Sequence, residues 1–181
     1  LKAAKNRFAP LPLVDELKLE AKEAGLWNLF VPEEHAEYCD HGGLSFFDYA
    51  PLAEIMGRVI WCPEVFNCNA PDTGNMEVFM NYATEAQQRE WLDPLLAGDI
   101  RSSYAMTEPQ VASSDATNVE LRIEKAGNEW VLNGHKWFIT NAMYERTKIL
   151  IVMGKSDPEN PSRHLQPVSY THLRAHETVR N

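Results

Sequence analysis

At 181 residues, with 26 Asp and Glu against 17 Lys and Arg, the chain carries a formal charge of -9 and a pI near 5.1. That balance excludes a nucleic-acid surface, which requires clustered cations, and no apolar run approaches the ~20 residues of a membrane span. The length fits one domain, or one and part of a second, and with 44% apolar residues the chain can bury a real core, which excludes global disorder.

The first residues, 1–8, are basic but lack the apolar stretch of a signal peptide, and the chain starts without Met, so an upstream targeting segment stays open. From Leu13 the spacing of Leu13, Leu17, Ala21 and Ala24 predicts a helix, with Asp15 and Glu16 in its first turn and Gly25 ending it. A buried connection from Leu26 to Pro32 follows. Ser45 and Asp48 give an N-cap signal for a second helix with Tyr49, Leu52, Ala53, Met56 and Ile60 inward. Pro51 must start or kink it, having no N–H for the helix interior. Pro71 to Tyr82 is a third helical candidate. Thr84 and Gln87 form a capping box for a fourth, carrying Trp91, Leu92, Leu95 and Leu96; Pro94 is expected to break it and Gly98-Asp99 to close it.

Near residue 100 the texture changes from helical to antiparallel β. Alternation over Val119 to Glu124 and over Trp130 to Leu132 predicts half-buried strands. Asn133-Gly134 predicts a two-residue hairpin turn leading into a strand over residues 136–140. Lys148 to Met153, apolar and β-branched, predicts a central strand. The three cysteines, Cys39, Cys62 and Cys68, contain no CxxC pair and fit a reducing compartment better than a disulfide framework. Cys39 and His41, with His35 nearby, invite a metal reading; the plainer one, which we prefer, is that they decorate the Gly42-Gly43 loop. No metal is expected.

Two segments carry the chemistry. Tyr104-Ala-Met-Thr-Glu-Pro109 runs on to Ser114-Asp115, and about thirty residues later comes Trp137-Phe-Ile-Thr-Asn141. Each sets a hydroxyl, Thr107 or Thr140, in a strand-like run beside aromatic residues. Apolar faces with hydroxyl and backbone groups at the edge suit a flat, heteroatom-rich ring such as a flavin. Taken singly, each segment reads more simply as barrel-core aromatics and β-favouring threonines. Their joint occurrence reverses that judgement.

Residues 104–115 and 134–141 resemble, in the right order, the two signatures of the acyl-CoA dehydrogenase family. Ala24-Gly-Leu-Trp-Asn-Leu-Phe-Val-Pro-Glu-Glu34 and Asn69-Ala-Pro-Asp-Thr-Gly-Asn75 resemble its N-terminal helical domain, in particular in the subgroup that includes dehydrogenases fused to kinase-like domains in animals. The resemblance runs to Gln166. It implies an α+β architecture: a helical domain over 1–99, part of an antiparallel β-barrel that contacts FAD over 100–166, and a C-terminal helical bundle that is missing. Residues 167–181 resemble a translated cloning adapter and are set aside from the fold, which removes functional weight from His172 and His176.

The same resemblance implies that Tyr104, Met106 and Thr107 contact FAD from one segment and that Phe138, Ile139 and Thr140 flank it from the other, with Ser114 toward the acyl-CoA. It makes Glu108 a structural member of the signature and places the catalytic base in a later helical domain. The reaction implied is oxidation of an acyl-CoA to a trans-2-enoyl-CoA, with electrons passed to an electron-transfer flavoprotein and a homo-oligomer at full length. This chain alone is expected to be inactive. Acyl-CoA oxidases and flavin monooxygenases of the same fold, or a fragment that binds no flavin, are the alternatives. The compartment implied is cytoplasmic in a bacterium and mitochondrial or peroxisomal in a eukaryote, and not secretory. The chain departs from the usual signature in one place. Four residues, Gln110-Val-Ala-Ser113, separate Pro109 from Ser114 where three ending in Gly are usual, which leaves Ser113 as a competitor for the role of Ser114. Phe138, where many members carry Trp, keeps an aromatic wall.

Overall fold

The computed structural model describes residue 6, residues 8–157 and the strand Val168–Arg174. The basic opening stretch and most of the segment beyond Gln166 therefore lie outside the described residues. The chain divides into two units: Leu1–Arg101 with Tyr144–Arg146, and Ser102–Met143 with Thr147–Asn181.

The first unit is helical. Helix α1, Pro12–Glu23, begins with Pro in its first turn, where a missing N–H costs nothing, and the left-handed Gly25 follows its end. Its buried face is Val14, Lys18 and Ala21, whereas Leu13, expected inside, is 58% exposed. Leu17 and Ala21 of the expected face do lie inward; the buried stripe takes in Val14 and Lys18 beside them, and Lys18 Nζ donates to Glu64 at 3.0 Å. Val14 and Ala21 pack on Val65, with Leu17, Trp27 and Phe66 around them.

Helix α2, Phe46–Met56, is capped as expected: Ser45 Oγ accepts from the Asp48 N–H at 3.2 Å and donates to its carboxylate at 2.6 Å. Pro51 sits inside without ending the helix. The helix stops at Gly57, so Met56 is buried but Ile60, expected on the inner face, is 96% exposed. A short turn α3, Cys62–Val65, leads to α4, Asp72–Tyr82, which buries Met76, Phe79 and Met80. The Thr84–Gln87 capping box forms, opening α5, Glu85–Gln87. The chain then widens into a π turn, Gln88–Leu92, before α6, Asp93–Ala97. Pro94 lies in the first turn of α6; the wider turn ahead of it absorbs the missing donor, so the helix shifts where a break was expected. Gly98 closes it at φ +75°, and a Cβ there would sit 2.6 Å from the Trp27 ring.

Four charges lock this unit. Arg101 bonds the Asp72 carboxylate and reaches Glu64 at 2.7 Å, and Glu64 also takes Lys18. Burial pushes the Glu64 carboxyl up, but Arg101 and Lys18 outweigh it and hold it below its usual range. Separately, Arg146 pairs with Asp15 through two bonds of 2.6 Å each.

In the second unit β1, Arg101–Ala105, β2, Arg122–Ala126, β3, Glu129–Asn133, β4, Thr147–Lys155, and β5, Val168–Arg174, form a five-stranded sheet in the order β1-β4-β2-β3, with β5 also on β4. β4 is the central strand that its sequence predicts. Alternation over Val119, Leu121 and Ile123 also holds, all three being buried. With Val152 and Ala105, Leu121 and Ile123 form the core, against which Leu132, Ile139 and Leu150 pack.

Two expectations need correction. The hairpin turn is Gly127-Asn128, between Ala126 and its partner Glu129; Asn133 is the last residue of β3 and pairs with Arg122. Gly127 supplies the left-handed position at φ +64°, while Gly134 is instead pressed on Leu121, which a Cβ would approach to 2.7 Å. Residues 136–140 consequently form a loop, not a strand. The sheet is also mixed and open, not a closed antiparallel barrel. β2 joins β4 in parallel through one register pair, Arg122 with Lys155, and among the described residues β3 pairs only with β2, whereas closure requires two partners for every strand. β5 lies in the stretch set aside above, and its backbone pairs along Ile149 to Lys155 of β4.

The charge lock gives a direct test. Arg101→Met removes the guanidinium from beside a carboxylate only 1% exposed, and is expected to cost ~3–5 kcal/mol in urea unfolding. Arg89→Met, which breaks the exposed pair of Arg89 with Glu85, is expected to cost at most ~0.5 kcal/mol. Equal losses would show that the buried cluster is not a lock.

Candidate cofactor site

The first segment leaves β1 at Ala105 and continues as irregular chain. Tyr104, still in the strand, is half-buried and donates its hydroxyl to Met153 Sδ at 3.4 Å. Met106 is half-buried and Thr107 is exposed. Glu108 is buried, and its carboxylate is fully engaged. Oε2 accepts from the Glu120 N–H at 2.7 Å; Oε1 accepts from the Leu121 N–H at 2.9 Å and from Lys136 Nζ at 2.8 Å. Burial pushes this carboxyl up, but the bonds from Lys136, Glu120 and Leu121, with the ammonium charge, outweigh it and hold the group below its usual range.

The four-residue loop, residues 110–113, folds back on the segment. Ser113 is buried, its Oγ accepting from the Glu108 N–H at 2.7 Å and lying 3.3 Å from the Val111 carbonyl. Ser114 is exposed, one residue before Asp115, which caps the next turn by accepting from the Thr117 N–H. Of the two serines, Ser113 is committed to the loop and Ser114 has its hydroxyl at the surface.

The second segment is held against the first. Lys136 Nζ donates to the Met106 carbonyl at 2.8 Å, and the Trp137 N–H donates to the Thr107 carbonyl at 3.1 Å. At its far end Asn141, left-handed at φ +67°, donates to the Ser102 carbonyl at 3.2 Å and accepts from Thr147 Oγ1 at 2.8 Å. Between these anchors Ile139 packs into the core, while Trp137 and Phe138 stand out of it. Their rings lie 4.7 Å apart, tilted by 49°, and Phe138 is 83% exposed. Phe138 also adopts φ +50°, a conformation that disfavours a bulky side chain. Thr140 is exposed.

The structure thus brings Met106 and Thr107 against Lys136 and Trp137, and leaves Thr107, Phe138 and Thr140 open to solvent. An exposed aromatic pair between two exposed hydroxyls fits a flat ring with polar edges. Sequence reasoning gave Lys136 no part in this, although it is the residue that joins the segments. Its signal is the opposite charge on Glu108, in a chain where each is the ionisable residue flanking an apolar or hydroxyl run.

The loop with Cys39 and His41 is organised by its own bonds. Cys39 Sγ accepts from the Gly43 N–H at 3.2 Å, and His41 Nε2 lies 3.1 Å from the Asn28 carbonyl. Among the described residues no group of three or more His, Cys, Asp or Glu is placed to hold a metal. Cys68 is buried, and burial pushes its thiol up to about 11.

The model of the acyl-CoA dehydrogenase N-terminal domain matches residues 4–99, and that of the middle domain matches residues 103–174. The chain belongs to the acyl-CoA dehydrogenase family. Acyl-CoA dehydrogenase family member 10 of Mus musculus is 50% identical over 165 residues, covering 91% of this chain and 15% of that protein. A candidate acyl-CoA dehydrogenase structure from Mycobacterium abscessus superimposes with a TM-score of 0.85 at 49% identity, over 92% of this chain and 40% of that one. A glutaryl-CoA dehydrogenase from Mycobacterium smegmatis, solved in complex with FADH2, shares the fold at a TM-score of 0.61 and 20% identity, over 89% of this chain and 37% of that one. The chain therefore spans a minor part of the length of the relatives it matches.

Glu108→Gln tests the electrostatics of this dehydrogenase segment. A carboxyl held below its ordinary value of about 4.3 adds stability above that pH, and the gain fades as pH falls through the lowered folded value. The stability difference between the original chain and the variant, measured by urea unfolding, is expected to be full at pH 7 and to shrink below about pH 4. A difference that is flat down to pH 2.5 would contradict the assignment.

Proposed function

We propose that the chain is part of an FAD-dependent acyl-CoA dehydrogenase acting on acyl-CoA, with an electron-transfer flavoprotein as the electron acceptor. The observation that carries this reading is the exposed Trp137–Phe138 pair, flanked by the exposed hydroxyls of Thr107 and Thr140, on two segments clamped together by Lys136. In this reading Phe138 and Ile139 support the flavin from one segment, and Tyr104, Met106 and Thr107 from the other. Thr107 and Thr140 offer hydrogen bonds to its edge, and Ser114 offers one to the acyl-CoA. Bound FAD supplies the acceptor for a hydride from the β-carbon of the acyl thioester, while a carboxylate removes the α-proton to leave a trans-2-enoyl-CoA.

Glu108 is unsuited to be that carboxylate. It already accepts from two backbone N–H groups and an ammonium, and its affinity for a proton is lowered. A general base needs a free lone pair and a pKa near the working pH. We assign the base to the part of the relatives' length that this chain does not span, so acyl-CoA-dependent dye reduction by this chain alone is expected to be absent. Its detection would overturn that assignment.

Flavin binding is tested by titrating the purified chain with FAD and following flavin fluorescence. Phe138→Gly removes the stacking surface, worth ~1–3 kcal/mol, and is expected to weaken binding about tenfold or more. It also relieves a left-handed phenylalanine, so the melting temperature without FAD is expected not to fall. Thr140→Val removes one hydrogen bond of ~1 kcal/mol and is expected to weaken binding about fivefold. Unchanged affinity in both variants would sink the site.

A further inference from the structure

We propose that Lys136 is a positioning residue of the flavin site: its ammonium fixes the Met106–Thr107 peptide so that the Thr107 N–H is presented outward as a hydrogen-bond donor. This rests on the functional reading above and adds to it the device that aims the donor.

A planar trans peptide points its C=O and its N–H in opposite directions. Among the described residues the cis bond is at Ala70-Pro71, so the Met106–Thr107 unit is trans. Its carbonyl oxygen lies 2.8 Å from Lys136 Nζ, and the Lys136 side chain is only 9% exposed. The carbonyl is therefore drawn toward the buried ammonium, and the Thr107 N–H is turned the other way. Among the described residues that N–H donates to nothing, and Thr107 is exposed. The next carbonyl, that of Thr107, is held by the Trp137 N–H at 3.1 Å, so the donor is fixed by the peptide units on both sides of its residue.

The ammonium is occupied by Met106 and Glu108, so it acts through the peptide it orients. An N–H held in place before the ligand arrives costs little reorganisation when negative charge develops opposite it. A flavin ring edge gains such charge on reduction. The expected consequence is preferential stabilisation of the reduced flavin, beyond a general gain in affinity.

Two measurements on the purified chain test this. The first is amide hydrogen exchange by NMR: Thr107 is expected to exchange rapidly without FAD and to become at least about tenfold slower when FAD is bound. Protection of Thr107 in the FAD-free chain would overturn the proposal whatever FAD does. The second is the midpoint potential of the bound flavin. Lys136→Met is expected to favour the oxidised over the reduced form by about tenfold, a shift of about 30 mV to more negative potential for a two-electron couple. Lys136→Arg, which keeps a cation beside the carbonyl, is expected to recover at least half of that shift. If Lys136→Met does not fold, the double variant E108Q/K136M, which buries no unpaired charge, carries the comparison. Bound FAD with an unchanged potential in the folded variant overturns this proposal alone. An original chain that binds no FAD overturns the functional reading and this proposal with it.

Discussion

The ion pair between Glu108 and Lys136 is the contact on which the second unit's loops depend. Three pieces of chain meet there with few ladder bonds of their own: the run after β1, the approach to β2 at Glu120 and Leu121, and the loop after β3. A sheet holds its strands in register through repeated backbone bonds, but irregular segments need other anchors. Here one carboxylate takes two backbone N–H groups and an ammonium, and the ammonium takes a backbone carbonyl besides. Desolvating such a pair consumes much of what its attraction returns, so its net contribution to stability is modest. Its effect is on position. It sets where Met106 and Thr107 lie relative to Lys136 and Trp137.

The first unit uses charge in a comparable way. Lys18 and Arg101 face Glu64 and Asp72, two cations on two carboxylates, tying α1, α3 and α4 to Arg101 at the end of that unit. On α1 the buried stripe runs through Val14, Leu17 and Ala21 and includes one cation, Lys18. The Lys18–Glu64 bond gives that buried cation its partner. In both units apolar burial supplies most of the driving force, and directional charge contacts choose among arrangements of similar burial.

This division explains what the sequence disclosed. Caps were legible because their chemistry is local: Ser45 with Asp48 and Thr84 with Gln87 each bond within three residues. The strand character of residues 148–153 was legible from β-branched, apolar composition. The hairpin was not, because Gly127-Asn128 and Asn133-Gly134 offer similar turn chemistry, and what separates them is the packing of Gly134 on Leu121, a contact across thirteen positions. The burial of Lys18 on α1 was hidden for the same kind of reason, its partner Glu64 lying 46 residues away. The open sheet and the loop over residues 136–140 departed from a pattern of alternation that two-residue periodicity alone could not refuse. The role of Lys136 leaves no local signal, since its partner sits 28 residues upstream.

Within the second segment, three consecutive residues differ in what the fold does with them. Ile139 packs on the core and repays its ordering by burial. Phe138, one residue earlier, is 83% exposed in a left-handed conformation, so neither its side chain nor its backbone gains from the fold. Trp137 is anchored through its backbone N–H to Thr107 while its ring stays 42% exposed. The packing of the described residues does not account for two aromatic rings held outward at a left-handed turn between firm anchors. The anchors make the arrangement intelligible: Lys136 on one side and Asn141 on the other fix a short loop whose aromatic rings the described residues leave uncovered, as the proposed flavin site requires.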